Sequence, residues 1–469
     1  MNRKERIEGR REFLEQLGLG AAGAFFLTGL PYFGRTVSAQ CPVISPGPAT
    51  TFRYDCRPIR PRRPASTLSA SEIQKLRDAY AAMRALDTSD PTDPRGFLQQ
   101  ANVHCRYCTN PSIQVHYTWQ FFAWHRAELY FHERILGALI KDPEFRLPYW
   151  DWDDSTHRKM PSAYTSPGTA TNPLWNSSRF LPSTAELPDE DVGDDVMDNV
   201  LTLPTFADFG GTATASGVPE GTPHGSVHVD VGGDMGAFAT AGRDPIFYAH
   251  HSNLDKIWSD WNKRLPTHTN PTDPTFLNLT WNFYDENKRW TSIKASQVLN
   301  HENSLRYIYG PSRFSELLPC LLTWVPIRTQ WATLKRIDLA PLLKQSLSPL
   351  VADRQARVRL TFEAMVVPVD RTAVYRVYAT QSDADENAGP KSPGYLGTIP
   401  VVLNDEKNTH QPPTTRRQSF NITSRLQRLL TRGTAIEPVL VERVERQGVK
   451  PRILKVQARD AHFSYARPE

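Results

Sequence analysis

His104, His116 and His125 fall close together in a stretch dense with aromatic residues, H-C-R-Y-C-T-N-P-S-I-Q-V-H-Y-T-W-Q-F-F-A-W-H. A second group, His224, His228, His250 and His251, follows later in the chain. No carboxylate is interleaved at ligand spacing in the first group. Imidazole nitrogens suit copper, zinc, iron and nickel, whereas carboxylate-rich sites suit calcium, magnesium and manganese. Two such groups, far apart in sequence, must be brought together on rigid elements. Facing helices of a bundle core do this.

The helical pattern agrees. From Thr118 to Ile140 the sequence predicts one long helix, stopped by Lys141-Asp142-Pro143. His125, Leu129, His132 and Leu136 share one stripe of it. His116 precedes His125 by nine residues, which on an ideal helix points the other way. It is therefore expected at the helix start, turned inward by local geometry. His132 lies two turns beyond His125 and reads as a hydrogen-bonded structural histidine. His224 and His228 stand at i, i+4, so one helical turn presents both on one face. Met235-Gly236-Ala237-Phe238 reads as a loop, and Ile246 to Asn262 as a helix carrying His250 and His251. Earlier, Ser69-Ala70-Ser71-Glu72 is a capping box opening a helix with Ile73, Leu76, Tyr80 and Met83 on one face.

At 469 residues the chain exceeds one ordinary core, and its 38 prolines predict loops and irregular walls around a few helices. Of the net charge of +5, residues 1–39 carry +2 (six Lys/Arg, four Glu); the remaining +3 is near balance for this size and gives no case for nucleic acid or an anionic membrane. Arg10-Arg11-Glu12-Phe13-Leu14, an apolar run from Leu17 to Leu30, and Val37-Ser38-Ala39 together read as a cleavable export signal. The R-R-x-F-L order resembles a twin-arginine signal. The apolar run is shorter than the roughly 20 residues a bilayer needs, so no membrane association is expected of the mature form. Residues 40–66 read as a proline-rich arm, with Arg60-Pro61-Arg62-Arg63 as solvated charge. Cys41, Cys56 and Cys105 lie where disulfides are reasonable in an exported protein, and Cys320 reads as a buried thiol. Cys105 and Cys108 form a C-x-x-C, but no second such pair supports zinc.

Toward the C-terminus the period changes to two. Val358, Leu360 and Phe362 alternate, as do Tyr375, Val377 and Ala379. Tyr395 to Leu403 and Val439 to Val444 continue the pattern, with a short helix near Ser424–Leu430. This predicts a β-sandwich.

The motifs around the histidines resemble those of a known family. His116-x4-Phe121-Phe122-x-Trp124-His125-Arg126-x2-Leu129-x3-Glu133 is similar to the first copper signature of tyrosinases and polyphenol oxidases. Asp244-Pro245-x-Phe247-Tyr248-x2-His251-x3-Asp255 is similar to the second. Gln99 to Cys108 and Leu147-Pro148-Tyr149-Trp150-Asp151-Trp152-Asp153 resemble the plant catechol oxidase branch. The resemblance implies a type-3 centre of two copper ions, the first held by His104, His116 and His125 and the second by His224, His228 and His251. His250 then supports the site without binding metal. Cys108 matches a cysteine that forms a thioether to the middle histidine of the first site, here His116. Glu220 matches a carboxylate that holds an active-site water and accepts a phenolic proton. Phe238 matches an aromatic gate over the first copper. Gly225 stands where monophenol-hydroxylating members often carry Asn, which tilts the expectation toward diphenols. The chain departs from the plant pattern in its cysteines: of Cys41, Cys56 and Cys105 only one pair can form, and the sequence leaves open which.

The expected fold is mainly α: an antiparallel four-helix bundle holding a binuclear copper site, followed by a C-terminal β-sandwich. The expected division is a signal at 1–39, a di-copper catalytic domain at 40–310, a linker at 311–352 and a shielding domain at 353–469. The expected activity is oxidation of small o-diphenols to o-quinones by dioxygen, latent until the shield is removed. A tyrosinase with monophenol hydroxylase activity, an o-aminophenol oxidase and a hemocyanin-like oxygen carrier are the alternatives. The expected partners are phenolic substrates, dioxygen and the twin-arginine export machinery, which would place the protein outside the cytoplasm.

Overall fold

The capping box opens the first long helix, α1 (Ala70–Ser89): the Glu72 amide donates to Ser69 Oγ and the Ser69 amide to Glu72 Oε2. Leu76, Ala79, Tyr80 and Met83 form its buried face. This computed structural model describes residues 41, 47–54 and 57–310. In the C-terminal part it describes 322–326, 357–384, 388–392, 394–403, 414–423, 425, 438–443, 452–455 and 458–468. The export signal, Cys56 and Cys320 lie outside the described residues, as does most of the helix expected near Ser424–Leu430.

Helix α2 (Phe97–Thr109) packs on α1, and α3 (Gln120–Leu139) packs on both α1 and the long helix α6 (Ile246–Arg264). Between α3 and α6 come α4 (Asp194–Leu201) and the short α5 (Ser226–Val231), which a π-type turn at Glu220–Gly225 leads into. Both long helices are buried along most of their length, since aromatic and aliphatic residues occupy more than one stripe. Strands β1 (Thr50–Thr51), β3 (Thr280–Tyr284) and β4 (Trp290–Lys294) make one small sheet, ordered β1-β4-β3. β2 (Arg60–Arg62) pairs parallel with β5 (Tyr307–Tyr309). A disulfide joins Cys41 to Cys105 and fixes the start of the arm to α2.

Arg62 corrects the expectation of solvated charge in the arm. It is buried, donates to Glu133 Oε2 at 2.9 Å and Asp255 Oδ2 at 3.3 Å, and lies 3.7 Å over the Tyr307 ring. Arg126 donates to the other Asp255 oxygen, and Tyr307 and Tyr309 hydroxyls also donate to Asp255. A buried charge requires this degree of pairing. The cluster ties the arm, α3, α6 and β5 together.

Two four-stranded sheets form the sandwich, in the orders β10-β7-β13-β6 and β12-β11-β8-β9. The strands are β6 (Leu322–Pro326), β7 (Arg357–Val367), β8 (Ala373–Tyr378), β9 (Tyr395–Val401), β10 (Thr414–Asn421), β11 (Val439–Glu442), β12 (Ile453–Lys455) and β13 (Ala458–Pro468). Val358, Leu360 and Phe362 from one sheet meet Tyr375, Val377 and Ile399 from the other, as the period-two pattern requires. Within 311–352, expected as a linker, Leu322–Pro326 is an edge strand paired antiparallel with β13. Its partner is distant in sequence, so no local pattern announced it. No helix among the described residues is long and apolar enough to cross a membrane.

The sandwich docks on the helical part through paired polar groups. Arg443 pairs with Glu190, Asp191 and Asp230, and Arg376 pairs with Glu190. Arg359 reaches the last turn of α4, donating to Asn199 O at 3.0 Å and Thr202 Oγ1 at 3.2 Å.

Candidate metal centre

His104 projects from α2 and His125 from the first turns of α3. His116 lies before α3, where its backbone amide donates to Gln114 Oε1 at 2.9 Å. That bond, with the left-handed Tyr117 (φ 62°) following it, turns His116 inward ahead of the helix. His224 closes the π-type turn, His228 sits in α5, and His250 and His251 lie on α6. The potential ligand atoms of His104, Cys108, His116 and His125 lie within 4.8 Å of one another, and so do those of His224, His228, His250 and His251. The two groups face each other: the His125 and His251 rings stack at 4.2 Å, and His116 and His224 at 6.0 Å.

For three of the rings a carbonyl selects the nitrogen on offer. His125 Nδ1 is 2.8 Å from Phe121 O, His224 Nδ1 2.8 Å from Glu220 O, and His228 Nδ1 2.7 Å from Met235 O. A carbonyl can only accept, so each Nδ1 carries the proton and each Nε2 is a bare lone pair. Nε2 of His125 and of His224 is buried with no partner among the described residues. His228 Nε2 and His251 Nε2 are 3.3 Å apart. Two imidazoles on one ion, each about 2.0 Å from it in tetrahedral geometry, stand about 3.3 Å apart. Burial lowers His125 to about 3 and His228 to about 4, and it holds His104, His116, His224 and His251 well below the ordinary imidazole value. Neutral rings with free nitrogens are the state a metal takes up. The donor set fits two ions that prefer imidazole.

The sequence matches the common central domain of tyrosinase over residues 94–179 and 167–264, and the polyphenol oxidase middle domain over residues 270–319. The solved structure of Grenache (Vitis vinifera) polyphenol oxidase is 33% identical, with 61% of this chain and 95% of that one covered and a TM-score of 0.52. The chain belongs to the tyrosinase and polyphenol oxidase family. The latent chloroplastic polyphenol oxidase of Prunus armeniaca is 36% identical over 305 residues, 56% of this chain and 50% of that one. The chain spans about half the length of the curated relatives it matches. A recombinant latent aurone synthase, itself a polyphenol oxidase, matches through the sandwich as well: TM-score 0.69, 26% identity, covering 92% of this chain and 94% of that one.

The other residues singled out from the tyrosinase motifs also gather here. Cys108 is a free, buried thiol in the first histidine group. The Phe238 ring stacks on His116 at 4.2 Å. Glu220 is buried: its Oε1 accepts the Tyr117 amide, while its Oε2 has no partner among the described residues. Burial raises its carboxyl to about 8 against the pull of that amide and of Arg416. Gly225 directly follows His224. His250 accepts from Trp152 Nε1 at its Nδ1 (3.1 Å), which leaves the proton on Nε2. His132 is structural, 3.2 Å from Tyr80 OH and stacked on Tyr248.

Sequence reasoning missed the supports. The Leu147–Asp153 motif works as a brace on α6: the Trp150 amide donates to Ala249 O, Trp152 orients His250, and Asp153 accepts from Asn253 and Lys256. The motif was visible; its partners were not. A C-terminal shield was expected, but the residues that meet the Phe238 loop were not identifiable in the sequence. Leu403 O accepts the Phe238 amide at 3.1 Å, Thr372 Oγ1 donates to Gly236 O, and Val402 joins the apolar core of the helical part.

Proposed function

We propose that the chain is an exported oxidase that holds two copper ions, converts o-diphenols to o-quinones with dioxygen, and is latent beneath its sandwich. The carrying observation is the convergence of two neutral, buried histidine groups whose free nitrogens face one another. His104, His116 and His125 hold one copper, and His224, His228 and His251 the other. The protonated Nε2 of His250 supports leaving that residue out. When bound, the two ions carry electrons from diphenol to dioxygen, so that two diphenols and one dioxygen give two quinones and two waters.

The chain's own groups orient and exclude. The Phe238 ring on His116 offers a face for an incoming phenol to stack against. Glu220 presents its unpartnered Oε2 as acceptor for a phenolic proton or a water. Gly225 supplies no side-chain amide to assist, which favours diphenols over monophenols. Cys108 forms a thioether to a His116 ring carbon, with loss of two hydrogens to dioxygen, and so fixes that ring. Leu403, bonded through its carbonyl to the Phe238 amide, brings the sandwich against this loop and keeps phenols out until the sandwich is displaced. This reading divides the chain into a catalytic domain at 40–310 and a shield at 353–469 that takes β6 as an edge strand, with export through the leader at 1–39.

The test is oxygen uptake by copper-loaded full chain with catechol, tyramine and o-aminophenol, before and after cleavage within 311–321, ahead of the β6 edge strand. Catechol should drive uptake best, and cleavage should raise it severalfold. No catechol-dependent uptake after cleavage rejects the oxidase. Equal rates before and after reject latency.

A further inference from the structure

Gly225 has an ordinary right-handed helical backbone (φ −65°, ψ −30°), open to any L-residue. Glycine in such a place is less stable than alanine. The reason for it lies across the seam. A β-carbon on Gly225 would stand 2.8 Å from Pro400 Cγ, 3.2 Å from Pro400 Cβ and 3.6 Å from Glu220 O. The first of these is deep inside van der Waals contact, which for carbon pairs is best at about 3.5–4.0 Å.

Pro400 cannot simply step aside. It is buried in β9, opposite Val374 of β8. Its carbonyl accepts from Arg416 Nη1 at 3.3 Å. Arg416 spans to Tyr117, donating to its hydroxyl at 3.2 Å with the guanidinium 4.4 Å over the ring. On the other flank Thr222 Oγ1 donates to Thr398 O at 3.2 Å. Thr222 ties the turn carrying His224 to β9 directly, and Arg416 ties β9 to Tyr117, whose amide Glu220 of that turn holds.

We infer that Gly225 is the socket that receives Pro400, so that the docked chain excludes any side chain beside His224. The inference rests on the sandwich acting as a shield. It couples two properties that would otherwise be independent: closure of the site, and absence of a side chain reaching over it from position 225. A residue introduced there to change substrate choice also pushes the shield off.

The test uses the full chain with G225A, G225N, P400A and the double variant G225A/P400A. Amide hydrogen exchange across 395–403 reads docking, and catechol-driven oxygen uptake without cleavage reads opening. Exchange in G225A should be on the order of tenfold faster than in wild type, the scale on which overpacking acts, with G225N faster still. P400A should stay near wild type, and the double variant should return most of the way toward it. That recovery also separates a relieved contact from a misfolded one. Wild-type exchange in G225A, or no recovery in the double variant, overturns the socket. Faster exchange in G225A with no change in uptake keeps the socket and rejects the shield instead.

Discussion

Glu128 lies on α3 one turn after Trp124, buried, with neither carboxyl oxygen partnered among the described residues. Burial raises its pKa well above the ordinary carboxylate value. A carboxyl raised in the folded state contributes its stability below the unfolded value of about 4.3 and loses it as pH rises. Wild type and Glu128→Gln should therefore melt together near pH 3.5, below the unfolded value, while at pH 8 the variant should melt higher. Thermal unfolding at the two pH values checks this. Gln114 poses the opposite case. It holds the His116 amide and also donates to Cys108 O, so it orients both the ligand and the thiol beside it. Gln114→Ala should weaken copper retention by about 10–100-fold, as loss of a ligand's support does. It should also lower the crosslinked fraction of the Cys108–His116 peptide, read by mass spectrometry. The histidines were legible in the sequence because their spacing and aromatic setting are unusual. Gln114 was not, because nothing in an isolated glutamine tells which backbone groups a turn will bring to it.

At the scale of elements, α3 and α6 hold the site because one buried carboxylate joins them. Asp255 on α6 takes Arg126 of α3 and Arg62 of the arm; burial would raise it, but the two guanidiniums outweigh that and hold it at about 2. A depressed carboxyl contributes its stability above about pH 4 and loses it as pH falls through the folded value. Asp255→Asn should cost about 3–5 kcal/mol at pH 7, since it leaves Arg126 buried without its counter-charge. It should also flatten the acid limb of the stability curve between about pH 4 and 2, measurable by denaturant titration across that range. The helices were readable from period and capping: α1 begins at the capping box, and α3 stops before the Lys141-Asp142-Pro143 signal. Arg62 was misread because a basic run on a proline-rich arm looks solvated. Only the return of β5 alongside β2 buries it.

For the whole molecule, the sandwich was legible from its alternating residues, but its docking was not. The bond to the Phe238 amide comes from Leu403, far along the chain, and the seam is held by Arg359, Arg376 and Arg443 on carbonyls and carboxylates of the helical part. Pattern within a strand says which face is apolar, not which distant turn it will cover. The six-histidine assignment is tested most directly by copper analysis of the loaded full chain and of His228→Ala, alongside oxygen uptake on catechol after cleavage. Wild type should bind two coppers per chain and oxidise catechol; His228→Ala should lose the second copper and the activity while keeping the first. A single copper in wild type, or two coppers and full activity in His228→Ala, would contradict the account.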